Sequence, residues 1–232
     1  MHQTKEKAYK YAKEKVLDSL KWSGININNG LEIEEIIAYN EKDTSIVIST
    51  EGKGKAIKNE KAFINFFTEG LNYELNKKEK SIIELLNLSF SEYSKSAQFV
   101  TLISAFELFI EKKVKQEEKI VDLIDNELFK KLNECQNKYK ISDKKLNDLK
   151  SRIGKIKNLS IKDNCKKIIK RYLDQNIKYN GKLAVDFFDD CYDIRSQIVH
   201  SKDKLNKLDN NIIQELRKLV KDVLSCKLNS KN

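Results

Sequence analysis

The sequence predicts a mainly α-helical protein, in which a helical bundle follows a small N-terminal α/β appendage. Two observations favour helices throughout. The 232 residues include no proline and only 7 glycines, so little in the chain interrupts a helix. From about residue 79 to the end, apolar residues recur at helical spacing. A third observation marks the exception, because the stretch around residues 32–50 is rich in β-branched residues and predicts a hairpin.

The N-terminal part predicts a helix, a hairpin and a second helix. Residues 4–21 have apolar side chains near helical spacing, and we expect that helix to end by Gly24. Residues 32–39 and 44–50 predict the two strands of the hairpin. A lone hairpin is only marginally stable, so it needs a helix or a partner to pack on. Residues 58–75 predict the second helix.

Every later segment predicts a helix. These segments begin with the apolar residues after Glu79 and continue over residues 91–113, 117–140, 143–157, 160–177, 182–200 and 208–227. We place the boundary between the two parts near residue 77. This gives an α/β appendage over residues 1–77 and a helical bundle over residues 78–232.

The charge balance favours a polyanionic partner. The chain carries 45 Lys and Arg against 35 Asp and Glu, for a net charge of +10 and a pI near 9.2. An excess of this size attracts nucleic acid. The same excess also fits a genome-wide preference for Lys, Asn and Ile, so composition alone leaves both interpretations open.

The sequence indicates no metal, cofactor or membrane site. The four cysteines lie about thirty residues apart and never form a C-x2-C pair, which argues against zinc. The first residues are charged and do not resemble a signal peptide. The longest apolar run, about residues 97–110, is too short to cross a bilayer and contains Glu107. We therefore expect a cytoplasmic protein with reduced thiols, no cofactor and no membrane partner.

Two uncommon residue types of the chain occur together near residue 195. Only four basic residues are Arg, and Arg195 lies on the apolar arc of its helix, about 40° from Cys191. An Arg in that position needs a carboxylate, a phosphate or an interface. His200, one of two histidines, falls about 140° from Arg195 on a regular helix. The two share a face only if the helix end frays or a second copy of the helix contributes.

Arg195 and His200 resemble the R-x4-H motif of HEPN domains, the helical bundles of many prokaryotic defence and toxin ribonucleases. The string Tyr192–Ser201 looks like the ApeA-like branch, where Tyr-x-x-Arg-(Asn/Ser)-x-x-Val-His is followed by a small residue. Phe99–Leu108 is similar to the Ala-Leu-Glu segment on that family's first core helix. The resemblance covers roughly the last 140 residues. It departs at Ser196, since active members often have Asn, Asp or His after the Arg.

The resemblance implies a metal-independent endoribonuclease that works as a homodimer. Each subunit would lend Arg and His to a shared site, and the products would carry 2′,3′-cyclic phosphate and 5′-hydroxyl ends. His200 suits proton transfer because the pKa of imidazole lies near 6.5, and the planar fork of Arg195 matches two phosphate oxygens. The implied partners are RNA, a second copy of the chain and a regulatory or antitoxin protein.

Three further residues are candidates around the pair. Ser196 either bonds the phosphate or a water, or faces solvent. Glu107 either pairs with Arg195 and orients it, or opens onto solvent at the helix surface. We expect Tyr192 to be a core side chain with a hydrated hydroxyl rather than a catalyst.

A different class of function competes with the nuclease. In this alternative the chain is a non-catalytic HEPN scaffold that binds a partner protein or nucleic acid. Arg195 then belongs to a buried ion pair, and His200 only ends a helix.

Overall fold

The computed structural model describes residues 2–27, 37–38, 46–47, 60–111, 114–200 and 208–231. These residues are mainly helical, with two small antiparallel hairpins, which confirms the predicted helical class. None of the described helices is both long and apolar enough to cross a membrane. The elements are, in chain order, α1 (His2–Asn26), β1 (Ile37–Ala38), β2 (Ile46–Val47), α2 (Glu60–Asn72), α3 (Lys77–Ser91), α4 (Lys95–Glu107), α5 (Glu118–Asp122), a π-helix (Leu123–Leu128), α6 (Phe129–Tyr139), α7 (Asp143–Lys155), α8 (Ile161–Tyr172), β3 (Lys178–Tyr179), β4 (Lys182–Leu183), α9 (Ala184–His200) and α10 (Asn210–Asn229).

The N-terminal hairpin is present where its residues are described. β1 and β2 pair antiparallel, with Ile37 opposite Val47 and Ala38 opposite Ile46. The other residues of the two predicted strands lie outside the described part of the chain.

The end predicted for the first helix was wrong. α1 continues through Gly24 to Asn26 because its last turns are buried. Trp22 and Ile25 are each 1% exposed, and the Ser23 hydroxyl donates to the carbonyl of Ser19 inside the helix. Burial of the large indole outweighs the modest helix-breaking tendency of glycine.

The predicted helix over residues 160–177 begins as expected but ends early. Ser160 caps α8 by accepting a hydrogen bond from the amide of Asp163 at 3.0 Å. The helix ends at Tyr172, and β3 and β4 form a hairpin around Asn180 and Gly181, whose φ angles are +49° and +77°. Asn-Gly is the strongest short hairpin signal, because both residues tolerate positive φ.

The chain forms two compact units, one of Met1–Phe109 with Ile169–Asn232 and the other of Ile110–Ile168. Residue 77 falls inside the first unit, because α1 packs on both α2 and α3. Gly70 permits the α1–α2 contact, since a Cβ there would lie 2.9 Å from the Cα of Ser19. On the other side of α1, Asp18 forms an ion pair with Lys80 of α3 at 2.9 Å.

The core of the first unit lies among α3, α4, α9 and α10. The rings of Phe106 and Phe188 join α4 to α9 with centroids 4.6 Å apart. α10 begins at a cap in which Asp209 accepts from the amide of Ile212 at 2.7 Å. Its apolar stripe is buried along its whole length and includes Leu216, Val220, Val223 and Leu224.

The second unit has a small core. Its buried apolar side chains are Ile124, Leu146 and Cys165. The π-helix interrupts the segment for which the sequence predicted one regular helix over residues 117–140. A backbone bridge closes the unit, since Leu159 donates to Val114 at 2.8 Å and Gln116 donates to Lys157 at 2.7 Å.

Candidate functional site

α9 is buried along its first half and open along its second. Phe187, Phe188 and Cys191 are at most 3% exposed, and burial raises the pKa of the Cys191 thiol to about 12. Further along the same apolar arc, Ile198 is only half-buried and Val199 is 51% exposed. The arc therefore reaches the surface beside Arg195.

Arg195 meets a carboxylate across the α4–α9 contact. Its Nη2 atom lies 4.0 Å from Oε1 of Glu107, and the two side chains are 30% and 24% exposed. The predicted pairing of Glu107 with Arg195 is therefore present, although both groups also reach solvent. Partly exposed pairs at this distance contribute little to stability, so the guanidinium is held without being sequestered.

Tyr192 joins the same carboxylate from the other side. Its hydroxyl donates to Oε1 of Glu107 at 3.2 Å, and its ring lies 5.8 Å from the guanidinium of Arg195. The ring also packs against Phe188, with centroids 5.9 Å apart. Glu107, Tyr192 and Arg195 form a polar group that we call the Arg195 cluster. The ring of Tyr192 packs on the core, and its hydroxyl belongs to this cluster.

The position of Glu107 at the end of α4 adds a second attraction for the guanidinium. Glu107 is the last residue of that helix, where unpaired carbonyl groups give a partial negative charge. A carboxylate at a helix C-terminus is unfavourable by itself. The cation of Arg195 offsets both negative charges, which explains why an Arg on α9 lies at this end of α4.

The remaining candidates lie on the open side of α9 or beyond the described atoms. Ser196 is exposed and next to Arg195. His200 is the last residue of α9, and its side chain and Ser201 lie outside the described part of the structure. Because the helix continues to His200, the backbone positions of residues 195 and 200 are separated by about 140° and about 7.5 Å along the axis. A frayed helix end therefore does not bring them together within one chain.

Two charged groups of the first unit escaped the sequence analysis. Glu79 is 0% exposed and forms ion pairs with Lys227 of α10 at 3.6 Å and with Lys231, just beyond the end of that helix, at 2.6 Å. Arg217 lies half-buried between α10 and the end of α3. Both had a signal. Asn76-x-x-Glu79 is a capping box, and Arg217 is as rare in this chain as Arg195.

Comparison of the chain with protein-family models, with curated proteins and with solved structures gives no match. The resemblance to HEPN domains therefore depends on the two sequence segments alone, residues 99–108 and 192–201.

Proposed function

We propose that the chain is a metal-independent endoribonuclease of the HEPN type that acts as a homodimer. The observation that supports this most is the geometry of the Arg195 cluster. A guanidinium lies at the open end of α9 beside a carboxylate that also accepts from a tyrosine hydroxyl, in the same helix that His200 ends. An Arg placed this way is available to a phosphate without leaving its helix.

The proposed reaction is an internal phosphoryl transfer. The ribose 2′-oxygen attacks the adjacent phosphorus, and the bond from phosphorus to the 5′-oxygen breaks. His200 accepts the 2′-hydroxyl proton, and the imidazolium that forms gives a proton to the departing 5′-oxygen. Arg195 stabilises the negative charge that builds on the two non-bridging oxygens. The products are a 2′,3′-cyclic phosphate and a 5′-hydroxyl, and no metal takes part.

Glu107 and Tyr192 are positioning residues in this proposal. They restrict the guanidinium while leaving part of it exposed, which lowers the cost of ordering it in the transition state. The exposed Ser196 is a candidate to donate a hydrogen bond to the phosphate. The apolar arc that surfaces at Val199 would lie at the contact with the second copy, which would bring His200 of one chain toward Arg195 of the other.

The second candidate function is a non-catalytic HEPN scaffold that binds a partner protein or nucleic acid. One observation favours it specifically. Arg195 already has protein partners within a single chain, as expected of a residue that serves the fold. A regulatory or antitoxin protein would then be the partner.

Cleavage in the presence of a chelator separates the two functions. We expect the purified protein to cut RNA in EDTA, and Arg195→Ala and His200→Ala each to reduce cleavage at least about a hundredfold. The chain supplies matched controls. Arg152→Ala removes a surface Arg that pairs only with Asp148 on its own helix, and His2→Ala removes the other histidine. Both controls should cut normally.

Three results would contradict the nuclease. Cleavage that requires magnesium, or that survives in His200→Ala, rules out the mechanism. Intact RNA with every folded variant favours the scaffold. Sedimentation that shows a strict monomer at the assay concentration rules out the shared site, because residues 195 and 200 of one helix diverge.

A further inference from the structure

Two acids and two cations of α10 lie on opposite flanks of its buried stripe. On one flank, Glu215 and Asp222 hold the second hairpin. The hydroxyl of Tyr179 donates to Oδ2 of Asp222 at 2.7 Å, and the amide of Asn180 donates to Oε2 of Glu215 at 3.1 Å. Both acids are thus engaged on this side of the helix.

The opposite flank carries two cations, Arg217 and Lys221. They are four residues apart, so their side chains are neighbours on one face of the helix. On a wheel centred on Leu216, they fall at about 100° and 140°, whereas Glu215 and Asp222 fall at about 260° and 240°. Both acids therefore lie about 100° or more around the helix from either cation.

Arg217 is held by neutral groups at the end of α3. Its Nε atom donates to Oγ of Ser89 at 3.1 Å, and its Nη2 atom donates to the carbonyl of Ser89 at 3.0 Å. The guanidinium also lies over the ring of Phe90, 4.1 Å from its centroid. These contacts orient the group but bring no negative charge to it.

Neither cation forms an ion pair with any residue that the structure describes. Both are half-buried, and burial lowers the pKa of Arg217. Burial also lowers the pKa of Lys221, an effect that nearby Lys218 strengthens and Asp222 opposes. A half-buried cation without a counter-charge is unfavourable, and Arg cannot neutralise itself by losing a proton. A bound anion would offset this unfavourable charge.

We propose that Arg217 and Lys221 bind a backbone phosphate of RNA, which deepens the proposed ribonuclease function and depends on it. Two of the five guanidinium N–H groups are used on Ser89, so three remain for a ligand together with the three of the ammonium. These N–H donors, grouped around two positive charges, match a phosphodiester. The planar fork of Arg fits its oxygens, and the ammonium of Lys adds a point charge. The net charge of +10 favours a polyanion over an isolated ion.

The test measures binding without cleavage. The probe is a fluorescent single-stranded RNA with 2′-O-methyl groups, which has no 2′-hydroxyl to attack. Anisotropy titrations between 50 and 300 mM salt, roughly the range in which phosphate contacts dominate, give the affinity and its salt slope. The side chain of Lys221 forms no hydrogen bond with any residue that the structure describes, so Lys221→Gln should fold normally. Lys77→Gln, an exposed position on α3, removes the same charge elsewhere.

We expect Lys221→Gln to lower the affinity about fivefold near 0.1 M salt and to reduce the salt slope by about 0.7, the value for one lost contact to a single strand. Arg217→Lys keeps the charge but not the fork, so we expect a smaller loss of affinity and an unchanged slope. Lys77→Gln should match the wild type.

Several outcomes would overturn the proposal. One is a wild type that does not bind the probe, and another is Lys221→Gln and Arg217→Lys behaving as Lys77→Gln does. A poly-glutamate chain that binds as tightly and shows the same losses assigns the flank to an acidic protein. The outcome is separable from that of the proposed function. Methylated RNA reports binding even if no variant cleaves, and cleavage that depends on Arg195 and His200 stands even if the α10 flank binds nothing.

Discussion

Two carboxylates of the first unit each join an early helix to a late one, and they do so in opposite ways. Glu79 links α3 to α10 from a site with no solvent exposure, and its partner Lys227 is 6% exposed. Glu107 links α4 to α9 at 4.0 Å from Arg195, where both side chains reach solvent. One pair is enclosed by the protein, and the other is left within reach of a ligand.

The difference indicates how charge is divided between the fold and its surface. A buried pair is expensive to break, because the group left behind has no water to replace its partner. A partly exposed pair exchanges protein contacts for water at little cost. We therefore interpret the Glu79 site as part of the scaffold and the Arg195 cluster as a site that can accept an anion.

The largest expected effect is at the buried site. Glu79→Gln keeps an oxygen to accept the amide of Asn76 but removes the buried negative charge that pairs with Lys227. We expect the free energy of unfolding to fall by about 3–5 kcal/mol, measured by urea denaturation. The control is Glu84→Gln, which breaks an exposed pair with Lys21 and should cost less than about 1 kcal/mol. Equal losses in the two variants would show that burial does not distinguish the sites.

An intermediate effect should appear at high pH on the acidic flank of α10. Burial raises the pKa of Tyr179, and its hydrogen bond to Asp222 raises it further. Because the folded pKa lies above the unfolded value near 10, the unfolded chain ionises first. The stabilisation is complete below pH 10 and is lost as the pH rises above it, at up to about 1.4 kcal/mol per pH unit.

Urea denaturation between pH 9 and 11 measures this loss. Tyr179→Phe should be less stable at pH 8 but should lose less stability above pH 10. Tyr139→Phe, at a position that is 63% exposed, should follow the wild type throughout. Parallel curves for Tyr179→Phe and the wild type would contradict a contribution from this hydroxyl.

The smallest effect on stability is expected at the Arg195 cluster. Glu107→Gln should change the free energy of unfolding by less than about 1 kcal/mol, because both partners reach solvent. RNA cleavage should nevertheless fall about tenfold to a hundredfold, because Arg195 loses the group that orients it. A loss of stability as large as that of Glu79→Gln, without any change in cleavage, would make this pair a second scaffold contact.

Local signals in the sequence account for much of the fold. Ser160 was expected to cap a helix and does so, and the β-branched stretch pairs as predicted at Ile37 and Val47. Two missed features also had local signals, the capping box at Glu79 and the hairpin whose turn is the Asn-Gly pair at residue 180. By contrast, no local rule pairs Tyr192 with Glu107, 85 residues apart, or Arg217 with Ser89, 128 apart.

The sequence by itself determined which segments are helical, where the motif lies on α9 and that Arg195 shares its apolar arc. These properties follow from the period of the helix, which can be recognised from residues that are close together in the sequence. Only the tertiary structure decided that Glu79 is enclosed, that Glu107 is open, and that Arg217 is held by Ser89 of α3. The physical reason is that the strength of a charge pair depends on how much water the neighbouring helices exclude, and packing sets that amount.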